Sequence, residues 1–209
     1  MFEKRDFSMA GTFVKHPQGN LLIDTGFGRN IDQQFLTLPW FLRAITRYTV
    51  WQPAVDQLRA AGYDQKSLHA ILLTHSHWDH VSGLPDFPGV PVWVTPQERK
   101  FIEKGGSGQF GKPFSGIRYE EYGFEGGPYL GFPRSHDVYG DGSIVVVPAP
   151  GHTPGGVIIF VTLPKESATR LSATSSGSLK QLPFARSGPG SRAKGPTRMR
   201  KATVKTCCG

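Results

Sequence analysis

Short apolar runs alternate with turn-forming residues along the first part of the chain. Residues 9–14 and 20–24 are apolar stretches joined by His-Pro-Gln-Gly, and this pattern predicts a β-hairpin. Apolar residues recur at helical spacing over residues 54–61 and Gly62 follows, which predicts a helix that ends at a glycine. The Ile and Leu run within residues 68–74 predicts a buried strand.

The pattern further along predicts one helix between strands. Residues 91–94 and, later, 143–147 and 157–162 are short apolar runs typical of strands. Thr-Pro-Gln-Glu at 95–98 combines an N-cap Thr, a Pro at the first helical position and a Glu three residues after the cap, so it predicts a helix to about Lys104. A hairpin, helix, strand, helix and further strands together predict a layered α/β domain.

Two segments have no clear period. Residues 35–51 are apolar and aromatic, and they predict either a helix or a loop that covers a groove. Residues 105–134 are rich in glycine and aromatic residues, and so long a loop in a compact domain is typical of a functional or mobile segment. These aromatic residues, with Trp40 and Phe41, either line an apolar acyl or ring pocket or only pack a loop onto the fold.

Composition changes sharply at residue 164. Up to that point the chain holds 14 basic and 15 acidic residues, whereas residues 165–209 hold 10 basic residues and one acid, so the net charge of +8 belongs to the tail. Of the 24 aromatic residues only Phe184 lies in the tail. The sequence therefore predicts a folded domain over residues 1–164 and a disordered basic tail over residues 165–209, because the tail has too little apolar surface to offset its ordering entropy.

Cysteine usage and hydropathy bear on the compartment. The two cysteines, Cys207 and Cys208, are adjacent and provide no disulfide framework, which favours the cytoplasm. No apolar run approaches the roughly 20 residues of a membrane helix, and the start of the chain lacks a secretory pattern. We expect a soluble cytoplasmic protein without a membrane partner, and the oligomeric state stays open.

The strongest chemical signal is the segment His-Ser-His-Trp-Asp-His, which directly follows the strand predicted at 68–74. In an extended segment His75 and His77 point the same way, so both imidazoles can reach one ion, while Asp79 and His80 can serve a second. A solvated polar loop is the alternative, but the chain has only 7 histidines and three of them lie here.

A third imidazole for the first ion is offered by His152, which lies in a Pro-Gly-rich turn between two predicted strands. Imidazole and carboxylate ligands suit zinc and also iron or manganese, so the ligand types alone do not choose the metal.

Three motifs in order resemble the metallo-β-lactamase fold hydrolases. LLIDTG at 21–26, THSHWDH at 74–80 and APGHTPGG at 149–156 are similar to the first strand and turn, the HxHxDH signature and the third-histidine loop of that family. The resemblance covers roughly residues 9–163. It implies an αββα sandwich with a zinc site at the edge between two sheets.

The resemblance also implies a role for each candidate residue. A first zinc ion is bound by His75, His77 and His152, and a second by Asp79 and His80. Asp24 is similar to the family aspartate that supports the metal loops through hydrogen bonds. The implied reaction is attack of a zinc-bound hydroxide on the carbonyl of a small ester, lactone, thioester or amide, with Asp79 orienting the nucleophile and handling its proton. The residues that bind substrate stay unknown.

The resemblance stops where the composition changes. The family pattern continues with a strand, a Gly-Asp whose carboxylate bridges the two metals and a later His, but residues 165–209 contain neither Asp nor His. Restoring one base after the first two bases of codon 165 lets KESATRLSATSSGSLK read as NGKRYALIGDLVWQLE, which supplies the strand and the Gly-Asp. The sequence therefore predicts a second half that is incomplete, because the chain is truncated or frameshifted; a native basic tail is the alternative.

An incomplete sandwich exposes an apolar face and unpaired strand edges. We therefore expect the chain to be poorly soluble or partly unfolded, with less than one zinc ion per chain, no cooperative thermal transition and little hydrolase activity.

Other functions fit parts of the sequence. The clustered Lys and Arg of residues 165–209 are typical of phosphate-backbone contacts, so a nucleic-acid-binding protein is the alternative from a different class. Nucleases also use HxHxDH sites, but the aromatic and glycine-rich groove segments favour a small carbonyl substrate over nucleic acid. Redox and sulfur-transfer members of the fold remain alternatives.

Overall fold

Two β-sheets form the frame of the protein in a computed structural model, which describes residues 9–105 and 115–163 and the backbone of residues 171–173. The first sheet contains, in spatial order, β1 (Thr12–Val14), β2 (Asn20–Ile23), β3 (Leu68–Leu72), β4 (Val92–Val94) and β5 (Tyr119–Glu121). β1 and β2 pair antiparallel, as the predicted hairpin requires, and β2 to β5 are parallel.

The second sheet is antiparallel throughout. Its order is β6 (His136–Asp137), β7 (Ile144–Pro148), β8 (Val157–Val161) and β9 (Leu171–Ala173). β7 and β8 lie where the apolar runs predict strands, so those two predictions are confirmed.

Helices occupy the sequence before residue 104. They are α1 (Ile31–Leu36), α2 (Trp40–Ile45), α3 (Ala54–Ala60), α4 (Trp78–Val81) and α5 (Pro96–Glu103). α3 and α5 confirm the predicted helices: α3 is followed by Gly62 at φ +84°, and the Thr95 hydroxyl accepts from the Glu98 N–H at the start of α5. Within the described residues, no helix has the length and apolar character needed to cross a membrane.

Side-chain alternation along the first sheet supplies two cores. In β2, Leu21 and Ile23 face the second sheet, where they pack with residues such as Val146 and Ile159, whereas Leu22 faces the helices. The helix-side core includes Val55 and Leu58 of α3, Ile102 of α5 and Phe87. Successive side chains of a strand point to opposite faces, so the first sheet packs against the helices on one face and against the second sheet on the other.

Three layers of the expected αββα sandwich are therefore present: helices, first sheet and second sheet. No helix follows α5 in the part of the chain that the structure describes. On the outer face of the second sheet, Tyr129 and Phe132 pack against Phe160 with ring centroids 5.5 and 6.2 Å away. The architecture agrees with the predicted metallo-β-lactamase-like fold with an incomplete second half.

Two segments differ from the sequence predictions in detail. The stretch 35–51, predicted as a helix or a loop, holds the end of α1, all of α2 and a loop. Residues 105–134 predicted a long loop, but β5 lies inside this stretch. The apolar pattern does not reveal β5, because two of its three residues are exposed acids and backbone pairing with β4 holds it in the sheet.

Three residues of the predicted disordered tail also form a strand. β9 pairs with β8 through Leu171 opposite Val161 and Ala173 opposite Ile159. Backbone pairing along the open edge of β8 requires no particular side chains, which explains a strand in a stretch of weak apolar pattern. The rest of the predicted tail, with all ten of its basic residues and both cysteines, lies outside the described residues.

Candidate metal centre

The predicted ligands gather at one edge of the first sheet. Parallel strands end at the same edge, so Asp24 follows β2 there and the HSHWDH segment (residues 75–80) follows β3. The His152 loop (residues 149–156), between β7 and β8, reaches this edge from the second sheet, because the Val157 N–H donates to the Thr74 carbonyl at 2.9 Å. Both sheets therefore contribute to the site.

Three histidines form a compact group. The ligand atoms of His75, His77 and His152 all lie within 4.8 Å of one another. Nδ1 of His77 is 2.8 Å from Nε2 of His152, and the ring of His75 lies 4.9 and 4.7 Å from those two rings. His75 is only 1% exposed, whereas His152 is exposed, so the group opens to solvent on one side.

The chemistry of the group fits a divalent cation such as zinc. Zn–N bonds of about 2.1 Å separate two nitrogens of a tetrahedral ion by roughly 3.4 Å, and the observed separations, 2.8 Å to within 4.8 Å, bracket that value. Burial and then the neighbouring histidines lower the pKa of His75 to about 2. Burial followed by the charge of His152 also lowers the pKa of His77, so both imidazoles are neutral at pH 7, the form that binds metal.

The second pair of predicted ligands lies beside this group. The His80 ring centroid is 4.0 Å from that of His75, and its Nε2 is 3.5 Å from Oδ2 of Asp79. Burial disfavours a charge on His80, but the carboxylates of Asp24 and Asp79 outweigh it and the pKa of His80 is raised. Asp79 and His80 together offer two further ligand groups next to the three histidines.

Asp24 connects Thr74, the residue before the HSHWDH segment, to His80, the last residue of that segment. Its Oδ1 accepts from the Thr74 N–H at 2.8 Å, and its Oδ2 accepts from the Thr74 hydroxyl at 2.6 Å and lies 2.7 Å from Nδ1 of His80. The carboxylate is 4% exposed. Nδ1 of His80 faces Asp24, so Nε2 of the same ring faces Asp79. The contact with Asp24 sets the orientation of the His80 ring.

We expect Asp24→Asn to destabilise the fold by about 2 kcal/mol, because one oxygen is replaced by an amide donor that faces buried donors. Asparagine tolerates the left-handed backbone of Asp24, at φ +54°, so the change isolates the hydrogen bonds. Limited proteolysis should become roughly 30-fold faster. Asp64→Asn is the control, since that exposed carboxylate accepts from one N–H in a surface turn; equal rates for both variants would contradict the expectation.

Glu98 belongs to this site and was missed by sequence reasoning, which assigned it only to the start of α5. The side chain is 2% exposed. Its Oε1 accepts from the N–H and the hydroxyl of Ser76 at 2.7 and 2.6 Å, and its Oε2 accepts from the Gly155 N–H at 3.1 Å. A Glu at this position also matches a helix cap, so no sequence signal separates the two roles.

Aromatic side chains border the site. Trp78, inside the HSHWDH segment, packs with Phe27 and Phe35 at ring distances of 4.8 and 6.4 Å. Trp40 and Phe41 are 75% and 52% exposed. Of the glycine-rich stretch, Tyr129 and Phe132 pack a loop onto the second sheet, while Phe110 and Phe114 lie outside the described residues.

Proteins of known name share part of this sequence. A Mycobacterium tuberculosis protein named a probable metallo-hydrolase is 32% identical over 164 residues, covering 71% of this chain and 50% of that protein. The N-acyl homoserine lactonase AttM of Agrobacterium fabrum is 30% identical over 119 residues, covering 54% of this chain and 43% of that protein. The chain thus spans about half the length of the curated relatives it matches.

Solved structures share the fold. An N-acyl homoserine lactone hydrolase with N-hexanoyl-L-homoserine bound at its catalytic metal centre has a TM-score of 0.56 at 22% identity, covering 70% of this chain and 55% of that chain. A B. thuringiensis AiiA variant with N-decanoyl-L-homoserine at its active site has a TM-score of 0.55 at 23% identity, covering 69% and 54%. At such identities the likeness shows the fold alone.

The family profile covers most of the chain. The profile of the metallo-beta-lactamase superfamily matches residues 10–168, which include β1 to β8 and every candidate ligand. The resemblance of the three motifs is therefore confirmed at the level of the family. This chain belongs to the metallo-beta-lactamase superfamily.

Proposed function

We propose that this chain carries the first metal site of a hydrolase that cleaves the single bond between the carbonyl carbon and the leaving oxygen, sulfur or nitrogen of a small substrate. The observation that carries the proposal is the convergence of the ligand atoms of His75, His77 and His152 within 4.8 Å. Among the candidate carbonyl substrates we favour lactones, because the relatives of the chain include N-acyl homoserine lactonases. Esters, thioesters and amides follow as comparison substrates.

Each side chain of the site has a task in this proposal. The three imidazoles hold the ion, for which zinc is the first choice. A bound zinc ion supplies Lewis acidity, which polarises a carbonyl and lowers the pKa of water to about 7. Asp79 orients the attacking water and holds its proton on a carboxylate oxygen, and Asp24 fixes the ring of His80. The apolar surface of Trp78 and Phe27 borders the site and accommodates an apolar part of the substrate.

We also propose that the second ion is held incompletely. Asp79 and His80 supply two ligands, and residues 165–209 add no Asp or His. A site that held two ions would supply more stabilisation of the negative charge that develops on the carbonyl oxygen than a site that held one. Low activity is the consequence that we expect for this chain.

Metal binding is the first test of the proposal. We expect the chain to take up at most one cobalt or zinc ion, and His152→Ala to lower the affinity by more than about 100-fold, since it removes a ligand outright. Competition with a chelator measures the affinity. His69→Ala is the matched control, because His69 is exposed on β3 and packs on Trp93, outside the three-histidine group. Equal affinity in the chain and His152→Ala would contradict the proposed site.

The substrate class is tested by turnover. We expect slow opening of N-acyl lactones by the metal-loaded chain, loss of that activity with a chelator, and loss in His152→Ala. The panel includes p-nitrophenyl esters, thioesters, a β-lactam and single-stranded DNA. Turnover that survives both metal removal and His152→Ala would sink the hydrolase proposal, and metal-dependent cleavage of DNA alone would move the chain to the nuclease class.

A further inference from the structure

One buried carboxylate touches both segments that carry the three histidines. Glu98 accepts two hydrogen bonds from Ser76, which lies between His75 and His77, and a third from the Gly155 N–H in the loop of His152. In the sequence, Glu98 lies 22 residues from Ser76 and 57 residues from Gly155. Glu98 therefore joins a segment of the first sheet to a loop of the second.

These contacts use the acceptor capacity of an ionised carboxylate. Two donors meet Oε1 and one meets Oε2, with donor–acceptor distances from 2.6 to 3.1 Å. Charge-assisted hydrogen bonds of this kind are shorter and stronger than neutral ones. An amide at this position could accept through one oxygen only, and its NH₂ group would face another donor.

The His152 loop is also seated on the backbone of α5. The Thr95 hydroxyl donates to the Gly155 carbonyl at 3.0 Å, and a Cβ on Gly155 would lie 2.1 Å from the Glu98 nitrogen. α5 is itself anchored by Ile102, which is buried in the helix-side core. The first turn of α5 is thus a fixed base for both ligand segments.

We propose that Glu98 is a positioning residue of the metal centre: it sets the separation between His152 and the pair His75 and His77. The inference rests on the proposed metal site. Side chains that orient metal ligands through hydrogen bonds typically change metal affinity by roughly 10- to 100-fold when they are replaced. Glu98 reaches no ligand ring directly in its hydrogen bonds and acts through the backbone of Ser76 and Gly155.

The test uses the full chain and cobalt as the probe. We expect Glu98→Gln to weaken cobalt binding about 10-fold, because the Ser76 contact survives and the Gly155 contact does not, and Glu98→Ala to weaken it about 100-fold. Both variants should shift the visible absorption of bound cobalt, which reports the geometry of the ligands. Val55→Ala, in the helix-side core but on α3, should speed proteolysis but leave the cobalt affinity and spectrum unchanged.

The outcomes separate the possible failures. Parent affinity and parent spectrum in Glu98→Gln and Glu98→Ala would overturn the positioning role, as would effects that Val55→Ala reproduces in full. Where Glu98→Ala fails to fold, the nearly isosteric Glu98→Gln decides. If the parent chain binds no cobalt, or binds it equally in His152→Ala, the proposed metal site fails and the role of Glu98 falls with it.

Discussion

Gly155→Ala should abolish cobalt binding and make the chain on the order of 100-fold more sensitive to protease. An added Cβ would lie 2.1 Å from the Glu98 nitrogen, 2.4 Å from the Thr95 hydroxyl oxygen and 2.6 Å from the Glu98 Cα. Two of these atoms are backbone of α5 and cannot rotate away, so the His152 loop must lift off the helix. Overpacking of this kind costs about 3 kcal/mol or more. A loss of stability of that size raises the population of open molecules, and the rate of cleavage by a protease rises with that population.

A matched glycine makes this result interpretable. Gly127 has no atom within 4 Å of a built Cβ and no positive φ, so Gly127→Ala should behave like the parent chain in both measurements. Should Gly155→Ala also behave like the parent, the loop would not be seated on α5, and the geometry that supports Glu98 as a positioning residue would be withdrawn. Loss of cobalt binding with unchanged protease sensitivity would confine the effect to the ligand loop.

Local chemistry explains which parts of the site were predictable. His75 and His77 are alternate residues after a strand, so their common direction follows from the period of extended chain. His152 lies 75 residues from His77, and it was joined to that residue in advance only by its Pro-Gly-rich turn between two predicted strands and by the resemblance to a family. The aromatic border formed by Trp78 and Phe27 depends on the path of the chain after β2, which apolar periodicity does not specify.

Two other features could not be recognised from the sequence, because one of them also fits a simpler local role and the other has no apolar pattern. Glu98 matches a helix start by sequence, and its hydrogen bonds to Ser76 and Gly155 become visible only when β3, α5 and the His152 loop meet. β5 has the sequence Tyr-Glu-Glu, and its place in the sheet comes from backbone pairing with β4. Such features depend on tertiary contacts that override the local apolar pattern.

β9 bears on the proposed frameshift. In the shifted reading, positions 171–173 become Leu-Ile-Gly and position 174 becomes aspartate. β9 runs antiparallel to β8 with Ala173 opposite Ile159, so from Leu171 to Ala173 it heads toward the start of β8 at Val157. Val157 is the residue whose N–H donates to Thr74, at the edge where the histidines gather. We propose on this basis that the missing carboxylate belongs to the out-of-frame reading.

Restoring the frame after the second base of codon 165 should change the protein more than any substitution. We expect two zinc ions per chain instead of at most one, a cooperative thermal transition, and lactone turnover at least about 100-fold faster, because a site that held two ions would better stabilise the negative charge that develops on the carbonyl oxygen. The covered outer face and paired strand edge should raise the soluble yield.

The restored chain carries its own control. With asparagine at position 174 it should keep the cooperative transition and the yield but lose the second zinc ion and most of the turnover, because the amide replaces a carboxylate ligand without changing the strand. Coding DNA that holds an intact frame and no such shifted string would refute the frameshift, and so would a restored chain with the zinc content and yield of the present one. In that case Asp79 and His80 would be left as a two-ligand remnant beside a one-metal site, and the hydrolase activity would depend on the three histidines alone.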